Sequence, residues 1–411
     1  MSKIDFGTEA ETLLTWLGQY GQDPKGGLSR FLYTPEWLAA QQALARQMRE
    51  DGLAVRLDEV GNLFGRLEGS QHKDETILTG SHLDSVRNGG LYDGQYGIIA
   101  GLVALRHLQK EYGQPLRNLE LVAIAEEEGS RFPFTFWGAK NIFALAKRSD
   151  VEGLVDFEGR PFVATMRQAG FDFRPEAAEV RRDLKAFIEI HIEQGGVLEI
   201  EGKSVGVVQH IVGQRRFTIE VSGEANHAGT TPMRYRKDAM EAASRMVAML
   251  IDTAKDYGDP LVVTVGRMEI KPNVVNVVPG QATFSLDARH TDKAVLGRYT
   301  DEISARMREM AARAGLEVSI DMWMDTDPVP MDKAMVKVVR QQCEKNGLDY
   351  KMMHSGAGHD AQIIAQFVPT AMLFVPSHRG ISHSPSEYTD SKDLASGIRV
   401  LIDVLYQLAY K

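Results

Sequence analysis

Several short stretches of the chain carry residues able to hold a metal ion or move a proton. The first, GSHLDSVRNGGLYDGQYG from Gly80 to Gly97, offers His82, Asp84 and Asp93. It lies between an apolar run at residues 75–79 that reads as a buried strand and an apolar helix at residues 98–108. Polar residues crowded between a buried strand and a helix mark the carboxyl end of a parallel sheet, where α/β proteins place their sites. His82 and Asp84 stand two apart at a strand end, so their side chains point roughly the same way. A carboxylate beside a ligand histidine can accept its other N–H and fix its tautomer. Taken alone, the pair reads equally well as a polar turn with a capping Asp. Asp93 sits among Gly89, Gly90, Gly94 and Gly97, which let the backbone fold tightly around a site. Alone it reads as a solvated turn residue. The spacing does not fit G-x-G-x-x-G, which excludes a dinucleotide loop.

The other stretches change that balance. Glu126, Glu127 and Glu128 follow an apolar run at 119–125. Three adjacent carboxylates are usually a solvated face, but at the end of a buried strand they repel unless a cation compensates. Strand alternation puts Glu127 and Glu128 on different sides, one free to ligate and the other to handle protons. His191 ends an apolar strand, with Glu193 two residues later, and His383 lies in Gly380-Ile381-Ser382-His383-Ser384-Pro385. Each histidine alone reads as a structural residue. Together, nitrogen and oxygen donors without cysteine suit Zn²⁺ or Mn²⁺, and a paired site suits metal-assisted hydrolysis. Further along, Asn226-His227-Ala228-Gly229-Thr230-Thr231-Pro232, the segment 273–279 and Arg289 stand out, and Arg289 could clamp a carboxylate at two points. The glycine-rich Ser355-Gly356-Ala357-Gly358-His359-Asp360 suits an anionic ligand through its amides.

The elements that must position these residues read as α/β. A chain of 411 residues predicts two domains. Hydrophobic residues are 43% and charged residues 25%, ordinary for a globular protein. A net charge of −9 argues against a nucleic-acid partner. Cys343 is the single cysteine, which fits a reducing compartment. No apolar run approaches the roughly 18 residues of a membrane span, and the first residues lack a signal-peptide pattern, so a cytoplasmic protein is expected. Helices are predicted at 7–20, 35–51 and 98–108, with strands at 54–57, 62–67, 75–79, 119–125, 186–192 and 204–212. From about Gly213 the pattern becomes alternating: strand 216–223, helix 237–257, strands 261–269 and 281–289, helix 292–314, strand 316–322. That order is the split βαβ pattern of ferredoxin-like domains. The α/β style then returns with helix 333–346, strand 370–375 and a last helix to about Ala409. The expected domains are 1–212, an insert at 213–327, and 328–411.

The motifs His82-x-Asp84, Gly89-Gly90-x-x-Asp93-Gly94, Glu126-Glu127-Glu128-Gly129, His191-Ile192-Glu193-Gln194-Gly195, His227-Ala228-Gly229-Thr230-Thr231-Pro232, Gly358-His359-Asp360 and Ser382-His383 occur in this order. The set resembles the carbamoyl-amidohydrolase branch of the M20 dimetal peptidase family. The resemblance implies an α/β catalytic domain with a largely parallel central sheet and an inserted ferredoxin-like lid and dimerisation domain. It implies two divalent ions per subunit, Mn²⁺ or Zn²⁺, with Asp93 bridging. His82 and Glu128 would sit on opposite ions, and His191 and His383 would complete the set. Glu127 would be the general base, and Asp84 would orient His82. His227, Gln214, Asn276 and Arg289 would bind substrate, with Gly358 and His359 nearby. His227 would act in catalysis and could serve the partner subunit's site. A cis peptide is implied after Asp93. The implied activity is hydrolysis of a ureido carboxylate, allantoate first, with N-carbamoyl-L-amino acids or N-carbamoyl-β-alanine as the alternative. A catalytically inactive binding homologue is the alternative of another class.

Overall fold

Four apolar runs of the sequence become adjacent parallel strands: Arg117–Ile124, His72–His82, Leu184–Ile192 and Thr370–Val375, in that spatial order. The computed structural model describes residues 5–175 and 180–411. All four strands are buried on both faces over most of their length, so their sequences run apolar continuously instead of alternating. Register pairs His82 with Ile124 and Phe374 with His191, which brings the carboxyl ends level. Antiparallel strands flank the four, Leu63–Leu67 and Ala54–Leu57 on one side and Val205–Ile211 on the other.

The chain divides into two compact units, Met1–Gln209 with Pro330–Lys411, and His210–Val329. In the first, helices Phe6–Gly18, Gln95–Tyr112 and Ser391–Ala409 share one core with the sheet. Tyr96 Oη donates to Leu394 O at 2.8 Å and so ties two of them together. Thr34 caps the helix Pro35–Glu50 by accepting from Trp37 N. That helix reaches the site indirectly. Trp37 Nε1 donates to Ala125 O at 3.1 Å, and Asn62 Oδ1 accepts from Ala125 N at 2.9 Å. Both polar groups of the residue before the three glutamates are thereby fixed.

In the second unit, Gly213–Ser222 pairs antiparallel with Gln281–His290 and Glu317–Thr326. Burial alternates residue by residue along Gln281–His290, as in a sheet with one face covered. Helices Ala239–Tyr257 and Lys293–Ala314 share a separate core with it. The expected insert, 213–327, falls inside this unit. One strand differs from expectation. The run at 261–269 is divided into Val262–Thr264 and Met268–Lys271, and the register against Gln281–His290 shifts by one residue between them, since Thr264 pairs with Asp287 and Met268 with Phe284. The strand Tyr350–Ser355, which pairs with Val205–Ile211, was not expected. Replacing Trp37 by Phe removes the donor to Ala125 O and leaves that carbonyl buried. We expect a loss of about 1–3 kcal/mol in unfolding free energy, read from urea unfolding; an unchanged midpoint would show that the pin carries no load.

Candidate dimetal site

Each of the four strand ends delivers part of one cluster. The strand His72–His82 supplies His82 and, past a turn, Asp84 and Asp93; Arg117–Ile124 leads into Glu126–Glu128; Leu184–Ile192 supplies His191; Thr370–Val375 leads to the loop carrying His383. Two donor triads share Asp93: His82, Asp93 and His191, and Asp93, Glu128 and His383. Within each triad the donor atoms lie within 4.8 Å of one another. Asp93 Oδ1 is 3.3 Å from His82 Nε2 and 3.2 Å from His191 Nε2, while Oδ2 is 3.1 Å from His383 Nε2. His383 Nε2 is also 3.3 Å from Glu128 Oε1. One carboxylate thus faces two nitrogens with one oxygen and a third with the other, the arrangement of a bridging ligand.

The donor set fits a pair of divalent cations chemically. It is imidazole and carboxylate without thiolate, which suits Zn²⁺ or Mn²⁺. Its unshared charge also points there. Burial and the neighbouring Glu128 charge push the Glu127 carboxyl well above its usual range. Burial raises Asp93 too, but hydrogen bonds from His191, His383 and His82 outweigh it and hold that group well below the usual range. Hydrogen bonds to Asp93 and Glu128 lift His383 to about 10. Protons on the histidines therefore offset part of the carboxylate charge, a task that cations would take over.

The surrounding contacts orient the donors. His82 Nδ1 lies 3.1 Å from the main-chain oxygen of Asp84 and 3.4 Å from its carboxylate. The Asp84 carboxylate chiefly serves elsewhere, accepting from Glu127 N at 3.0 Å and Glu128 N at 3.1 Å. It thereby fixes the turn that carries Glu127 and Glu128. This turn also revises the expected alternation. The strand stops at Ile124, and the Glu127 and Glu128 carboxylates converge with His82 instead of pointing apart. His191 Nδ1 is 2.9 Å from Ile192 O, which leaves Nε2 for the site. Gly94 has φ +68°, and a Cβ there would fall 2.4 Å from the His82 ring, so only glycine fits. The expected cis peptide after Asp93 is absent: the cis bonds among the described residues are Asp259–Pro260 and Lys271–Pro272. The positive φ of Gly94 makes the turn instead.

Four groups escaped the sequence reading. Gln194 Nε2 donates to Asp93 Oδ2 at 2.8 Å. Glu387 holds the backbone beside Asp93. Glu189 accepts from Ser81 Oγ at 2.8 Å and Ala361 N at 3.0 Å. Asp360 is buried with no hydrogen-bond partner for either oxygen among the described residues, and burial beside Glu189 pushes its carboxyl well above the usual range. Of the four, Gln194 and Asp360 stood in quoted motifs, and nothing there set either apart. His359 is buried, 2.8 Å from Ser355 Oγ and with its ring 4.7 Å from that of His191. Three of the amides in and just after the loop around Gly358 already have acceptors within the protein. Ala357 N, His359 N and Ala361 N are taken by Ser355 Oγ at 3.1 Å, Gln362 Oε1 at 3.4 Å and Glu189 Oε2 at 3.0 Å.

The second unit groups the remaining predicted residues in two sets. Gln214 and Arg289 are cross-strand partners. Asp287 accepts from Gln214 Nε2 at 2.6 Å, from Arg216 Nε at 2.9 Å and from Arg289 Nε at 2.9 Å. The second set is exposed His227 and Asn276, joined through Ala228 N and Asn276 O at 3.0 Å.

The family model of peptidase family M20/M25/M40 matches residues 78–407. The allantoate amidohydrolase of Escherichia coli K12 is 52% identical over 401 residues, covering 98% of each chain. The N-carbamoyl-L-amino-acid amidohydrolase of Paenarthrobacter aurescens is 40% identical over 389 residues, covering 93% of each. Among solved structures, an amidase of the hydantoinase/carbamoylase family from Burkholderia multivorans superimposes with a TM-score of 0.93 at 34% identity, covering 98% of each chain.

The His383 shift has a measurable consequence. A histidine with a pKa of about 10 is protonated at neutral pH in the metal-free protein, so an arriving cation must displace that proton. Metal uptake should release protons and tighten with rising pH, levelling off only above about 10. Titration calorimetry of Mn²⁺ or Zn²⁺ in buffers of different ionisation enthalpy checks this. Affinity that stays constant between about pH 6 and 9 would contradict it.

Proposed function

The chain belongs to peptidase family M20/M25/M40, and from that membership we propose that it hydrolyses allantoate to ureidoglycine, ammonia and carbon dioxide. The carrying observation is the site itself: one bridging carboxylate between two donor triads, with the Glu127 carboxylate beside them. Identity of 52% to a relative that acts on allantoate, against 40% to one that acts on N-carbamoyl-L-amino acids, favours the first substrate over the second. All five metal donors and Glu127 are present, which argues against an inactive binding homologue.

Two divalent ions held by His82, Asp93, His191, Glu128 and His383 would polarise the carbamoyl oxygen and lower the pKa of the attacking water. Glu127 takes the proton from that water. Burial and Glu128 raise its pKa, which makes it the stronger base. As the C–N bond breaks, Glu127 returns the proton to the leaving nitrogen, and the released carbamate divides into ammonia and carbon dioxide. Asp84 holds the Glu127 amide and so keeps the base in place. We assign Arg289 and Asn276 to the substrate carboxylate, Gln214 to its ureido groups, and His227 to the developing oxyanion. Gly358 and His359 complete the set of assigned residues.

The reaction belongs to purine nitrogen recovery, and we place it in the cytoplasm. No helix among the described residues is long and apolar enough to cross a membrane. We further propose a homodimer formed through the second unit, where Val275 and Trp323 are apolar and exposed. Mn²⁺ and Zn²⁺ both suit the donors.

Glu127→Gln should keep both metal donors' triads intact and lower kcat by at least about 100-fold, with metal content unchanged by elemental analysis. Turnover near wild type in that variant would remove Glu127 from its role. The substrate assignment is checked by ammonia release from allantoate, N-carbamoyl-L-amino acids and N-carbamoyl-β-alanine after metal reconstitution. Allantoate should give the highest kcat/KM, and a higher value for either carbamoyl compound would overturn it.

A further inference from the structure

We propose that Glu387, which is not one of the metal donors, is a positioning residue that fixes the bridging Asp93 relative to His383 and so sets how tightly the Asp93–Glu128–His383 position holds its ion. The inference rests on the dimetal reading of the site and not on the identity of the substrate.

The side chain is 5% exposed, so its carboxyl is withdrawn from water. Burying such a group is costly unless hydrogen bonds meet both oxygens, and here they do. Oε1 accepts from Tyr92 N at 2.9 Å and Asp93 N at 3.1 Å. Oε2 accepts from Ser382 Oγ at 2.7 Å. The first two donors belong to the bridging ligand and the residue before it. The third belongs to the residue before His383. One carboxylate thus joins two segments that lie 294 positions apart at Asp93. Gly90 marks the same fit, since a Cβ there would come within 2.0 Å of Glu387 Oε1.

His383 is the donor that most needs such a tie. His82 and His191 end buried strands and are 2% and 1% exposed. The His383 side chain is 49% exposed, and its backbone has φ +53°, a left-handed conformation that a non-glycine residue keeps only when its surroundings over-determine it. Packing does not enclose it, so hydrogen bonds must. Ser382 Oγ lies between Glu387 at 2.7 Å and Asp93 Oδ2 at 3.4 Å. The contact runs from Glu387 through Ser382 to the very oxygen of Asp93 that faces His383. Outer groups of this kind orient donors, and their loss typically costs about 10- to 100-fold in metal affinity.

The test is stepwise Mn²⁺ binding to metal-stripped protein under chelator competition, with the melting temperature of the metal-free protein measured alongside. A His383→Ala protein, left with the His82–Asp93–His191 position, supplies the one-ion reference. Glu387→Ala should weaken the second ion by about 10- to 100-fold and leave the first ion and the metal-free melting temperature unchanged. Glu387→Gln should restore most of that affinity, because its amide oxygen still accepts from Tyr92 and Asp93. Ser382→Ala should weaken the second ion selectively. Wild-type affinity for both ions in Glu387→Ala would overturn the inference. So would equal weakening of both ions with a lower melting temperature, which is the mark of a merely structural role. If Glu387→Ala does not fold, Ser382→Ala decides on the same two readings. A wild-type protein that takes up fewer than two ions would instead overturn the dimetal reading, and this inference with it.

Discussion

Like charge crowded out of water is the constraint on which the site depends. Asp84, Asp93, Glu126, Glu127, Glu189 and Asp360 are all buried at the carboxyl end of one sheet, with Glu128 beside them. Against them stand three histidines and the buried Arg30, whose own pKa burial lowers to about 9 while the Asp84 charge opposes the fall. Carboxylates so close cannot all ionise unless positive charge is supplied. Without cations, protons supply it. They are retained on Glu126, Glu127 and Asp360, whose pKa values burial raises, and on His383 through its bonds to Asp93 and Glu128. Two divalent ions would let Glu127 give up its proton and work as a base. The same electrostatics thus link metal uptake, proton release and readiness for catalysis.

Meeting that constraint requires donors that do not drift apart. The parallel strands fix where each donor begins, but the decisive side chains lie on turns just beyond them. Each turn is held by a group distant in sequence. Trp37 and Asn62 hold Ala125 ahead of the glutamates. Asp84 holds the amides of Glu127 and Glu128. Glu387 holds those of Tyr92 and Asp93. Two of these three supports are carboxylates, so part of the buried negative charge serves to position the rest. Removing such a support costs rigidity as well as a hydrogen bond, because the turn has no ladder of its own to fall back on.

This division explains what could be read from the sequence. The continuous apolar runs before His82, Glu126 and His191 made the central strands legible, and each donor stood at or just past a run's end. The alternation of Gln281–His290 made the second unit's sheet legible in the same way. The strand Tyr350–Ser355 was not, because its half-buried residues follow neither pattern. Glu127 and Glu128 were read on different sides because strand alternation was carried past Ile124 into a turn that Asp84 bends. Glu387, Gln194 and Asp360 left no local signal. Their roles arise from contacts between residues far apart in the chain, and a polar residue in a loop looks the same whether it faces water or a buried amide.

The proposed donor set and base would serve hydrolysis of any carbamoyl group, so they would not by themselves select the substrate. Selection must fall to groups that meet what flanks it. In the second unit, Asp287 holds Gln214, Arg216 and Arg289 together. One carboxylate there meets two guanidinium groups, and Arg289 among them is the residue proposed for the substrate carboxylate. Allantoate and the N-carbamoyl amino acids all carry one, so charge does not separate them. What differs is the second flank: a further ureido group in allantoate, a side chain in the carbamoyl amino acids. An apolar pocket tells such groups apart weakly, whereas a polar site rejects a substrate that leaves its groups unpaired far more strongly. The Gln214 carboxamide is a polar group of that kind. Asp287 orients it through Nε2, which sets the direction of the amide oxygen that would accept a ureido N–H. If Gln214 takes the proposed role, discrimination would depend less on its side chain alone than on the Asp287 contact that aims it.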